Sequence, residues 1–208
     1  MTLKTSVLEK EKINRRTFFR KSANCTAGLA LLTFPGLIRE VRAQTGDHSQ
    51  NESLKEMENK VNAYMQRYRS CALASFALLN EQFKLKAEHV IPALMPFTGG
   101  IAMRAETCGA VSGSVLALGF FFEPADKTSK KKPGSSIGNT GKFFDRFTKE
   151  FSSTRCREIQ KHQYGRSYNF LDPVEQKEFV EVSLKTGKCL EVVKKAVLIA
   201  GDIILSKP

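Results

Sequence analysis

The chain has 208 residues, a formal net charge of +12 and no tryptophan. Half of the basic excess lies in the first 43 residues, where nine Lys/Arg face three acids. That half reads as targeting, the rest is too small to mark a nucleic-acid footprint, and no nucleic-acid partner is expected.

In chain order, the first feature is the pair Arg15 and Arg16, followed by Thr17, Phe18, Phe19, Arg20 and Lys21. A moderately apolar run, Ser22 to Ile38, comes next, and Val41-Arg42-Ala43 forms an A-x-A-like cleavage site. A positive start, a short apolar stretch and such a cut site mark a secretory signal. The paired arginines with two phenylalanines behind them resemble the twin-arginine class. The apolar run contains Pro35 and is short of the ~20 residues a membrane span needs. Cys25 lies in the leader without a lipobox. Residues 1–43 are therefore expected to be a signal peptide. The protein would pass through the twin-arginine translocase to an extracytoplasmic place, periplasmic or secreted. Residues 44–52 are polar and read as a disordered tail, and 53–208 as one domain, long enough for its own core.

Ser53-Leu54-Lys55-Glu56 reads as a capping box. From there Leu54, Met57, Val61, Tyr64, Tyr68, Cys71, Ser75 and Leu78 fall in steps of three and four, which predicts one long helix. A second helix is expected over 87–97, shortened or kinked by Pro92 and Pro96. A third is expected over 107–121 and opens on small residues. Its Gly109 and Gly113 cost ~1 kcal/mol each against alanine in a helix interior, which implies tight packing or a bound group. Glu123 to Gly141 reads as a lysine- and glycine-rich surface loop. Phe143, Phe144, Phe147 and Phe151 form the apolar stripe of a fourth helix. A short helix follows near Cys156, and Asp172-Pro173 is a cap and first-turn proline for the next. A last helix is predicted over 188–205. Strand signals are few, so the fold class is all-α, a compact bundle of about five to six helices.

Four cysteines remain outside the leader: Cys71, Cys108, Cys156 and Cys189. There is no C-x-x-C, which excludes simple zinc-ribbon and thioredoxin-type sites, and no haem-attachment motif. Cys108 follows Thr107, Cys156 follows Ser153 and Thr154, and Cys189 follows Thr186, so three of the four fall in predicted first turns. Free N–H groups and the positive end of the helix dipole stabilise thiolate there. His89 and His162 have no nucleophile or ligand spacing around them. Glu106 and Arg104 beside Cys108 would tune a thiolate or simply form a surface pair, and Arg155 and Arg157, which flank Cys156, would help lower its pKa.

The pattern resembles the redox-active family named C_GCAxxG_C_C for its cysteines. The resemblance rests on Cys108-Gly109-Ala110-Val111-Ser112-Gly113, with Cys71 upstream and Cys156 and Cys189 downstream in order. It covers residues 65–204 and implies redox activity without fixing the chemistry.

Three readings follow. In the first, Cys71, Cys108, Cys156 and Cys189 bind an iron–sulfur cluster or other metal for electron transfer, since such clusters take four cysteine ligands. Intervals of 37, 48 and 33 residues then require ligands gathered from separate helices. In the second, the cysteines form redox or structural disulfides and hold no cofactor. In the third, the domain is a non-redox accessory module with structural zinc. A redox partner or membrane-associated complex is expected for the first. No specific enzymatic substrate is indicated.

Overall fold

The computed structural model describes residues 35–123 and 135–207, with side chains described from His48 onward. The leader features Arg15, Arg16 and Cys25 and the lysine run 127–132 lie outside the described residues, as does the side chain of Ala43. The chain divides into two units, Met1–Val41 and Arg42–Pro208. Among the described residues there are seven α-helices, one 3-10 helix and no strand, so the domain is all-α.

The first helix, α1 (Pro35–Tyr68), already runs through residues 44–52, where a tail was expected. Ser53 consequently sits within a helix instead of capping one, and its hydroxyl accepts from Gln82 Nε2 at 3.1 Å. Met57 and Val61 carry the buried stripe of α1. The helix does not continue to Leu78. Arg69 turns left-handed (φ 49) and Ser70 is extended, and a new helix, α2 (Cys71–Gln82), starts one residue later. Every residue from Ala72 to Asn80 is buried, as expected of a helix at the centre of a bundle.

Glu88–Phe97 is the 3-10 helix, where Pro92 and Pro96 remove the amides an α-helix would use. Then α3 (Gly109–Phe122) lies against α2. A Cβ at Gly113 would collide with the Ala72 carbonyl oxygen, so the small face predicted from sequence is what lets the two backbones meet. The fourth helix, α4 (Ser135–Phe151), begins earlier than predicted and takes in the end of the supposed loop. It buries Phe143, Phe147 and Phe151, while Phe144 is partly exposed. The short α5 (Cys156–Tyr164) is followed by α6 (Pro173–Thr186) and α7 (Lys188–Leu205). Asp172 caps α6, its Oδ1 accepting from Val174 N at 2.8 Å. No residue of α6 is buried, whereas α7 inserts Val192, Val193, Ala196, Val197 and Ala200 into the core. No helix among the described residues is long and apolar enough to cross a membrane.

Candidate redox centre

Each of the four cysteines stands at a helix N-terminus. Cys71 is the first residue of α2, Cys108 caps α3, Cys156 is the first residue of α5 and Cys189 is the second of α7. Three of these positions follow the sequence reading. The fourth, Cys71, was placed on the face of one long helix, and it joins the set because Arg69 and Ser70 break that helix.

Local structure brings the four ends together. Thr107 and Arg155 form an isolated antiparallel bridge. Cys108 N donates to Thr154 O at 2.9 Å, and Cys156 N donates to Glu106 O at 2.6 Å. This clamp sets the starts of α3 and α5 side by side. Arg157 reinforces it by donating to the carbonyls of Ala105 (3.3 Å) and Arg104 (3.2 Å) and pairing with Glu106. Arg155 also reaches Glu106, at 3.4 Å. Glu106 is thus occupied by arginines and serves the clamp. The loop before it is left-handed at Gly99, Gly100, Ile101, Ala102, Met103 and Ala105. Each non-glycine residue there costs roughly 1–2 kcal/mol, and hydrogen bonds such as Glu106 N to Gly100 O at 2.8 Å offset part of that. A Cβ at Gly100 would come within 2.8 Å of Cys156 Cβ, so the loop lies directly on this cysteine. On the opposite side, Ser70 and Thr98 share a hydroxyl hydrogen bond of 2.8 Å that ties the start of α2 to the same loop.

All four cysteines line one cavity of about 960 Å³. The lining contains no Asp, Glu, Lys or His and one arginine, Arg69, although a quarter of the chain is charged. The site is therefore a nearly uncharged chamber. Cys71 Sγ and Cys189 Sγ are 3.9 Å apart, and all four cysteines are free thiols.

The electrostatics of the thiols follow from this placement. The hydrogen bond to Cys189 and then burial push Cys71 well above the ordinary thiol value, and the other two cysteines add to the rise. The same contact holds Cys189 below its ordinary value, against the effect of burial and with help from the Ser183 hydroxyl. Burial raises Cys108, with Cys156 and Cys189 contributing. The N–H groups of Ala110 and Val111 at the start of α3 pull the other way without overcoming it. Cys156 is pushed up to about 12, chiefly by burial, against a lowering hydrogen bond from Gln160. Each of the six sulfur pairs is close enough for one cysteine to perturb another. Among the described residues, no three of His, Cys, Asp or Glu are placed to hold a metal ion.

His89 and His162 do not line the chamber. Gly109 does, while Ala110 and Gly113 are buried behind it. Three residues of the site were not singled out from sequence: Gln160, Tyr164 and Ser183. Only Gln160 had a readable signal, since its spacing of four from Cys156 puts both on one helix face.

A family model described as "Putative redox-active protein (C_GCAxxG_C_C)" matches residues 68–203, a span that holds all four cysteines. No curated protein and no solved structure matches the chain.

Proposed function

The chain belongs to the C_GCAxxG_C_C family, and from that premise we propose that Cys71, Cys108, Cys156 and Cys189 together hold one iron–sulfur cluster for electron transfer. The observation that carries this reading is the common chamber, reached by four separate helix N-termini. One buried and three half-buried thiols line this chamber, and a multivalent metal bound there would compensate the charge that their deprotonation creates. An iron–sulfur cluster would supply reversible electron transfer at a potential set by net charge, hydrogen bonds to sulfur and solvent exposure. The residues of the chain contribute four ligands, helix N-termini directed at them and a lining almost free of competing charge. The leader resembling the twin-arginine class supports export after folding, with the cofactor already in place, to the periplasm or beyond. A redox partner or membrane-associated complex would exchange electrons with the centre there.

The test is anaerobic reconstitution of the mature chain with iron and sulfide. The proposal expects bound iron and sulfide with visible absorption that bleaches on reduction. Protein with neither iron nor visible absorption would overturn it, and stoichiometric zinc without redox change would assign the site to structural metal.

A second reading is favoured by the 3.9 Å contact between Cys71 and Cys189. Cys189 is the more acidic thiol and Cys71 its proton-bearing neighbour. Joining the two sulfurs releases two electrons and two protons to an external disulfide or quinone-type acceptor. A Cys71–Cys189 linked peptide in the unreduced, metal-free protein would support this cycle.

A further inference from the structure

We infer that Gln160 raises the electron affinity of the centre through an orientationally locked hydrogen bond to the Cys156 sulfur, an inference that rests on the cofactor reading above. Gln160 is 2% exposed, an unusual place for an uncharged polar side chain on a short helix. Both ends of its amide are engaged. Oε1 accepts from the backbone N–H of Tyr168 at 2.8 Å, and Nε2 donates to Cys156 Sγ at 3.2 Å. A backbone N–H can only donate, so the Tyr168 contact fixes which end of the amide is oxygen and turns the NH₂ group to the sulfur. Tyr168 is itself buried with Ala105 and Phe170, against Phe179, so the anchor is held by packing. The result is a neutral donor that cannot rotate away and faces one of the four sulfurs.

A donor at a ligating sulfur stabilises the electron-rich state. Hydrogen bonds to the sulfurs are among the quantities that set the potential of an iron–sulfur centre, and residues behind the ligands tune the metal. Gln160 is not itself a ligand. It acts through Cys156 and is a positioning residue.

Two variants test this on the reconstituted full mature chain, with helicity and Tm compared to confirm folding. Gln160→Leu removes the donor. Gln160→Glu keeps an acceptor for Tyr168 N–H and replaces the donor with a carboxylate oxygen. The readout is the midpoint of the visible absorption in a redox titration. At the wild-type midpoint, Gln160→Leu is expected to lower the reduced-to-oxidised ratio about tenfold, equivalent to 59 mV for a one-electron centre. Gln160→Glu is expected to lower it further. Normal iron content with an unchanged midpoint in both variants overturns the inference and leaves the proposed function intact. Absence of iron in the wild type overturns the proposed function, and this inference falls with it.

Discussion

A methyl group added at Gly113 would collide with the Ala72 carbonyl oxygen, a backbone atom in the first turn of the helix that begins at Cys71. Gly113→Ala is therefore expected to destabilise the domain by about 1–3 kcal/mol, the usual cost of overpacking a close contact. Urea unfolding measures this, and a change smaller than the fitting error would show that α2 and α3 can part without cost. Cys156 gives a second expectation at this scale. Its folded-state pKa is raised from 9.0 to about 12, mainly by burial, so the folded chain keeps a proton that the unfolded chain gives up. The stability it contributes is whole below pH 9 and is lost as pH climbs from there towards 12. Cys71 and Cys108 act in the same direction and Cys189 in the opposite one. In the metal-free protein, Cys156→Ala is expected to flatten the alkaline fall in stability relative to wild type. Parallel curves for the two proteins would contradict the assigned burial of this thiol.

The helices differ in how firmly they are held. α2 is buried along nine consecutive residues, while α6 buries none and leaves Val174, Val180 and Leu184 exposed. Low-stability segments open locally before the rest, so α6 amides are expected to exchange hydrogen well before those of α3 and α7. Asp172→Ala removes the cap on Val174 N and Glu175 N. It is expected to cost ~1 kcal/mol and to speed exchange in the first turn of α6 above all. Exchange that rises uniformly over the domain would show α6 to be part of the global unit. The caps, prolines and small-residue face made most helices legible in the sequence. The break between α1 and α2 was not, because the apolar steps of three and four run through it from Met57 to Leu78. Its causes are a left-handed Arg69 and the bond from Ser70 to Thr98, 28 residues away. A tertiary contact of that range leaves no local pattern. The early start of α4 was hidden by serines and glycines that read as loop.

Across the molecule, helix starts supply the site. The order of the cysteines and the C-G-A-x-x-G motif were visible in the sequence, and the family match spans them. Sequence alone did not reveal that the four share one nearly uncharged chamber, because the bridge at Thr107 and Arg155 and the left-handed loop over Cys156 create that neighbourhood. Gln160 stayed hidden for a similar reason, since only the return of the chain to Tyr168 turns its amide toward sulfur. The central claim is that four cysteines make one centre. Its most direct measurement is iron and sulfide content after reconstitution of the four single variants Cys71→Ala, Cys108→Ala, Cys156→Ala and Cys189→Ala. Each substitution alone is expected to remove or degrade the cluster. Wild-type iron and sulfide content in the Cys108→Ala and Cys156→Ala proteins would contradict it.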